Sequence, residues 1–258
     1  MTLPEFPLLF YPVAIAGILL TGIAKGGFGG GAAGIGVPLM SMFIAPPTAA
    51  AIMLPILCAM DLFGVHAWRG RWSRTHLAVL VPGALAGIAL GGLAFGAMSV
   101  NAIRVVVGAI AVLFALNRWF RLSERLAARL ARATAPPGRV AGTFWGAVSG
   151  FTSTLAHAGG PPFVIYLLPH RPDKTTFVAT SVVFFLIVNY AKLVPYAMLG
   201  QLNAANLATS LLFAPLAPIG IRLGVWLHRR LPEAVFYQVT YVLLFASGGK
   251  LLRDALSA

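Results

Sequence analysis

The segment Ser149-Gly150-Phe151-Thr152-Ser153-Thr154-Leu155-Ala156-His157-Ala158-Gly159-Gly160-Pro161-Pro162 places hydroxyls and a histidine beside a glycine-proline break. A helix N-terminus at such a break carries partial positive charge and unpaired N–H groups, which suit a small oxyanion. The candidate substrate-binding residues here are Thr152, Ser153, Thr154, His157, Gly159 and Gly160. His157 binds substrate or accepts a coupling proton near neutral pH, or else it caps nearby backbone. The plainer reading of the rest is close helix packing by the glycines and hydroxyl bonds to the backbone.

A second segment, Gly22 to Pro38, sits in an apolar run, yet eight of its seventeen residues are glycine. Glycine inside a helix costs roughly 1 kcal/mol relative to alanine, so an unbroken helix is not expected. Non-helical backbone at membrane depth is tolerated only inside protein or along a water-filled cavity. Gly27, Phe28, Gly29, Gly30 and Gly31 complete the candidate binding set, and an amide-lined site of this kind needs no buried cation. Lys25, at the same break, either draws anions to a vestibule or snorkels to the headgroups.

Asp61, Lys192 and Arg222 are ionisable groups inside apolar runs, where charge is expensive and usually functional. Asp61 serves proton coupling or pairs with a cation near the basic loop. Asn189 and Lys192 share a helix face at i, i+3, with Tyr196 one turn on. Arg222 faces a cavity or snorkels. Lys25, Asp61, Asn189, Lys192 and Arg222 are therefore the coupling or gating candidates.

Catalytic readings fail on spacing. No His/Cys/Asp cluster has metal-ligand spacing, no phosphate loop follows a strand, and Cys58 has no partner. No cofactor, metal or catalytic residue is expected. An intramembrane enzyme using Asp61 and His157 would leave the internal duplication described below unexplained.

The elements that must position these residues follow from composition. The 258 residues are 59% hydrophobic and 10% charged, with mean hydropathy +0.87, which indicates an all-α polytopic membrane protein. Met1 to Pro7 carries only Glu5, so the first apolar run reads as mature fold and not as a signal peptide. Most of the net charge of +13 lies in short loops, which excludes a nucleic-acid partner. Apolar runs fall at 8–44, 48–66, 76–97, 102–118, 140–168, 175–199, 204–227 and 234–252. Six match one span each, while 8–44 and 140–168 are too long for one and carry the breaks.

The chain divides into a first membrane repeat at 1–116, a basic amphipathic linker at 117–139 and a second repeat at 140–258. In the linker Trp119, Leu122, Leu126 and Leu130 oppose Arg118, Arg121, Arg125, Arg129 and Arg132, as on an interfacial cytoplasmic helix. Gly27-Phe28 with Pro38 recurs as Gly150-Phe151 with Pro161. Pro82-x4-Gly87-x2-Leu90-Gly91 likewise recurs as Pro215-x4-Gly220-x2-Leu223-Gly224. Two matches in the same order indicate duplication. Arg69, Arg71 and Arg74 face a neutral counterpart near Gln201, while neutral Met98-Ser99 faces His228-Arg229-Arg230. That alternation makes the second half inverted, with two opposed re-entrant hairpins meeting near the midplane. Eight plain crossings with parallel repeats are the competing arrangement.

The ordered glycine stretch Gly27-Phe28-Gly29-Gly30-Gly31 to Val37-Pro38, and Ser149-Gly150-Phe151 to His157-Ala158-Gly159-Gly160-Pro161-Pro162, resemble the TauE/SafE family. It is also called the sulfite exporter or toluene-sulfonate-uptake-permease superfamily. The duplicated Pro-x4-Gly-x2-Leu-Gly pattern and the basic central loop add to the likeness. The resemblance implies a multi-pass carrier in the bacterial inner membrane for sulfite, sulfoacetate or other organosulfonates. Its partners would be a small anionic substrate and membrane lipid, with alternating access set against a passive anion channel.

Overall fold

The computed structural model describes residues 6–28, 33–122, 125, 138–228, 230 and 233–257. Among them there are only helices and their connections. The first half holds α1 (Phe10–Gly27), α2 (Gly36–Met40), α3 (Pro46–Ala67), α4 (Arg74–Ala97) and α5 (Val100–Trp119). The second holds α6 (Arg139–Ala156), α7 (Gly160–Leu167), α8 (Lys174–Met198), α9 (Ala204–Phe213), α10 (Leu216–His228) and α11 (Glu233–Leu256). Gly29, Gly30 and Gly31, and most of the amphipathic linker, lie outside the described residues.

Helices α1, α3, α4, α8 and part of α5 are each long and apolar enough to cross a membrane. A sixth span results if α9 and α10, bent by 43° at their junction, count as one. The run 204–227, expected as a single span, is thus broken. Pro215 cannot donate an amide hydrogen bond, and Pro218 adds a second gap one turn later.

Both long runs are broken where glycine and proline indicated. After α1 the chain turns and α2 folds back along it, placing Gly36 beside Thr21 and Leu39 beside Gly17. After α6 the chain turns at His157, and the Ser149 hydroxyl donates to the Gly159 carbonyl at 2.6 Å. Gly142 then abuts Tyr166, so α7 also runs back along its partner. The two tips meet, because a Cβ on Gly34 would stand 3.2 Å from the His157 carbonyl oxygen.

Packing between the halves is reciprocal. Helix α1 lies against α10 with Gly22 on Gly220 and Gly27 on Gly224, so these two run in the same direction. Helix α4 lies against α6 with Gly87 on Ala147 and Gly91 on Phe151, again in the same direction. The facing backbones nearly touch. A Cβ on Gly87 would come within 2.0 Å of the Ala147 carbonyl, which is why small residues occupy this seam. By contrast α3 crosses α8 antiparallel, with Asp61 opposite Asn189 and Gly64 opposite Val182. Helices α5 and α11 are antiparallel too, joining Asn101 to Ala255 and Gly108 to Gly248.

Candidate functional site

Where the hairpin tips meet α3 and α8, the chain buries two lysines, an aspartate and a histidine. Lys25 is 4% exposed, and Asp61 and Lys192 are each 0% exposed. Charges so deep persist only with partners, since an isolated ion out of water is prohibitively expensive. Asp61 meets Lys25 at 2.6 Å through one carboxylate oxygen. Its other oxygen accepts a hydrogen bond from the Asn189 amide at 2.6 Å. The Phe185 ring covers the Lys25 ammonium, 5.8 Å from the nitrogen to the ring centre.

Among the described residues Lys192 has no carboxylate within ion-pair distance. Its Nζ donates to the Ser153 carbonyl at 3.1 Å and to the Ser153 hydroxyl at 3.0 Å, and it lies 2.6 Å from His157 Nδ1. The far nitrogen of His157, Nε2, faces the Ala50 carbonyl at 2.9 Å and therefore carries a hydrogen. Nδ1 is then the acceptor, and an ammonium on Lys192 uses all three of its hydrogens. Once protonated, the Lys192–His157 couple holds one positive charge whichever nitrogen carries the proton. Lys25 is balanced by Asp61, whereas a charge on the Lys192–His157 couple meets no carboxylate among the described residues.

His157 is held in place by its backbone as well. It closes α6 in the left-handed region at φ 52°, where glycine is the usual occupant. For a histidine this conformation costs on the order of 1 kcal/mol and orients the imidazole toward Lys192. The Tyr196 ring stacks on it at 6.0 Å, and the Tyr196 hydroxyl donates to the Thr154 carbonyl at 2.8 Å. Lys25, Ser153, His157, Gly160, Phe185 and Asn189 line a cavity of about 10 Å³, room for one water molecule.

Several of the expected residues converge here. Lys25, Asp61, Asn189, Lys192, Ser153, His157 and Gly160 form one connected centre. Lys25 does not snorkel, and Asp61 is not in an interfacial pair, because the two meet in the interior. Thr152 and Thr154 are not free donors. Their hydroxyls donate to the carbonyls of Val148 and Gly150, one turn back on α6. Gly159 accepts from Ser149, Gly27 packs against Gly224, and Phe28 sits in an apolar cluster with Ala24, Ile35 and Leu39. Arg222 is exposed on the outer side of α10 and does not reach the centre.

The source of positive charge also differs from expectation. Pro161 and Pro162 open α7 and have no N–H, so that N-terminus offers few amides to an anion. The buried cationic side chain without a carboxylate is Lys192, since Lys25 is paired with Asp61.

Sequence reasoning missed Phe185, the Ala50 carbonyl, Trp68 and His228. Trp68 Nε1 donates to the Gly26 carbonyl at 2.9 Å, and His228 Nδ1 bonds to the Gly27 carbonyl. Together they satisfy the open end of α1 beside Lys25. Only the pairing of a lone indole with a helix end could have pointed to them, and that pairing is tertiary.

No curated protein and no solved structure matches the chain. The family described as sulfite exporter TauE/SafE matches residues 14–251, nearly the entire length. That match, over a helical bundle with several membrane-length apolar helices, places the chain in a family of membrane transporters: this protein belongs to the TauE/SafE family.

Proposed function

We propose that this protein is a secondary transporter of small sulfur-containing anions, of the sulfite, sulfoacetate or organosulfonate type, in the bacterial inner membrane. The observation that carries this reading is Lys192, buried at the meeting of the hairpin tips against Ser153 and His157 with no carboxylate beside it among the described residues. A buried surplus cation is unfavourable, and an anion docking on Lys192 would neutralise it. The cavity beside Lys25 and His157 has room for about one water, so a larger anion would enter only if the hairpin tips moved apart, as in alternating access.

Proton coupling follows from the same dyad. An arriving anion keeps the shared proton on Lys192 and His157, and departure of the anion frees that proton to leave. The mechanism would be a rocking of two inverted halves about the tips. Its support is the antiparallel course of α3 against α8 and of α5 against α11, with cross-packing of α1 on α10 and α4 on α6.

Counterflow in proteoliposomes tests the proposal against a passive channel. Vesicles loaded with unlabelled sulfite should transiently over-accumulate labelled sulfite, and an imposed pH gradient should change the accumulated level. Flux without counterflow would identify a channel and overturn the proposal.

A further inference from the structure

A groove of about 870 Å³ runs down the outside of the bundle between the C-terminal parts of α3 and α10. Its apolar wall includes Leu62 and Phe63, and Arg222, Arg230 and His66 give it polar positions. The Arg230 guanidinium lies over the Trp226 ring at 4.8 Å. Among the described residues no acidic side chain lines it. The other half has a counterpart groove between α4 and α8. Ala59, Leu62, Phe63 and His66 of α3 recur there at the same spacing as Ala191, Val194, Pro195 and Met198 of α8. Arg222 and Trp226 of α10 recur as Ala89 and Leu93 of α4. One fold element thus occurs twice, entirely apolar in one copy and carrying guanidinium groups in the other.

We infer that the α3–α10 groove binds one anionic phospholipid, with its phosphate on Arg222 and Arg230 and an acyl chain along Leu62 and Phe63. Charge complementarity favours this occupant, since the described residues put two guanidinium groups and no carboxylate in the groove. Depth agrees. Arg222 is six residues from the end of α10, about 9 Å of helix rise, within reach of the headgroups for a long side chain. The groove also lies at the end of α3 that leads into Arg69, Arg71 and Arg74, the basic side of the molecule. A free oxyanion would leave most of this apolar wall uncovered. The inference does not depend on the transport reading, because the central charged site lies elsewhere.

Native mass spectrometry of the purified protein, given phosphatidylglycerol or phosphatidylcholine with matched acyl chains, tests it. The wild type should retain phosphatidylglycerol preferentially. Arg222→Ala with Arg230→Ala should weaken that retention at least about tenfold. If the double variant cannot be purified, Arg230→Gln alone should weaken it by about fivefold. Ala89→Arg should add a second phosphatidylglycerol adduct in the counterpart groove. Equal retention of the two lipids, or wild-type retention by the arginine variants, would overturn the inference. So would complete displacement of the lipid by inorganic sulfate, which would mark a site for a free anion.

Discussion

At the scale of single residues, the centre depends on which charges have partners. Lys25 and Asp61 are mutually dependent, so Lys25→Ala strands a buried carboxylate and should cost about 3–5 kcal/mol of stability. Thermal unfolding in detergent measures this. The double variant Lys25→Ala/Asp61→Ala should recover most of the loss, because it removes both members of the pair and strands neither. Lys192→Gln removes the surplus charge and keeps hydrogen-bonding capacity toward Ser153. It should unfold near the wild-type temperature yet lose counterflow.

The ionisable members of this centre were legible in the sequence as rare polar residues in apolar runs. Their pairing was not, because Lys25, Asp61, Asn189 and Lys192 come from three helices far apart in the chain. The threonines misled for a local reason. In a helix a hydroxyl's nearest acceptor is the carbonyl one turn back, which takes Thr152 and Thr154 out of the site.

Helices are positioned by their ends and by their glycine seams. Asp173 caps α8, accepting hydrogen bonds from the Thr176 hydroxyl and from the amides of Thr175 and Thr176. These bonds, led by that from the Thr176 hydroxyl, hold its carboxyl below the usual carboxylate range. A depressed pKa means the stabilisation is complete above the carboxylate's unfolded pKa and is lost as pH falls through the folded one. Asp173→Asn keeps an N-cap side chain and should flatten the acid limb of a plot of melting temperature against pH. A limb as steep as in the wild type would remove Asp173 from that role.

On the seam, a Cβ at Gly27 would lie 2.2 Å from the Gly224 carbonyl, a backbone atom that cannot swing aside. Gly27→Ala should therefore cost about 1–3 kcal/mol and reduce transport by displacing the α1 hairpin that carries Lys25. A melting curve and a counterflow assay on the same preparation check both effects. The breaks themselves could be read from Gly and Pro spacing. The kink between α9 and α10 follows from Pro215, which was noted as a repeat marker and not as a helix breaker.

For the whole molecule, the proposed inversion makes a topological prediction. Loops after α3 and after α8 occupy equivalent places in the two halves and should open on opposite sides of the membrane. In a Cys58→Ala background, Arg71→Cys should be labelled only from the cytoplasm and Gln201→Cys only from outside. Labelling of both from one side would contradict inversion. Two glycine-proline patterns suggested the duplication, and loop charge suggested the inverted arrangement. The reciprocal packing of α1 with α10 and of α4 with α6 was not visible, since no local pattern states which half a helix will pack against.

The central claim is that Lys192 and its histidine present one buried positive charge to an anionic substrate. Equilibrium binding of radiolabelled sulfite to purified protein, in wild type and Lys192→Gln, tests it most directly. Saturable binding in the wild type that disappears in a folded Lys192→Gln variant is the predicted result. Equal binding by both proteins would contradict the account.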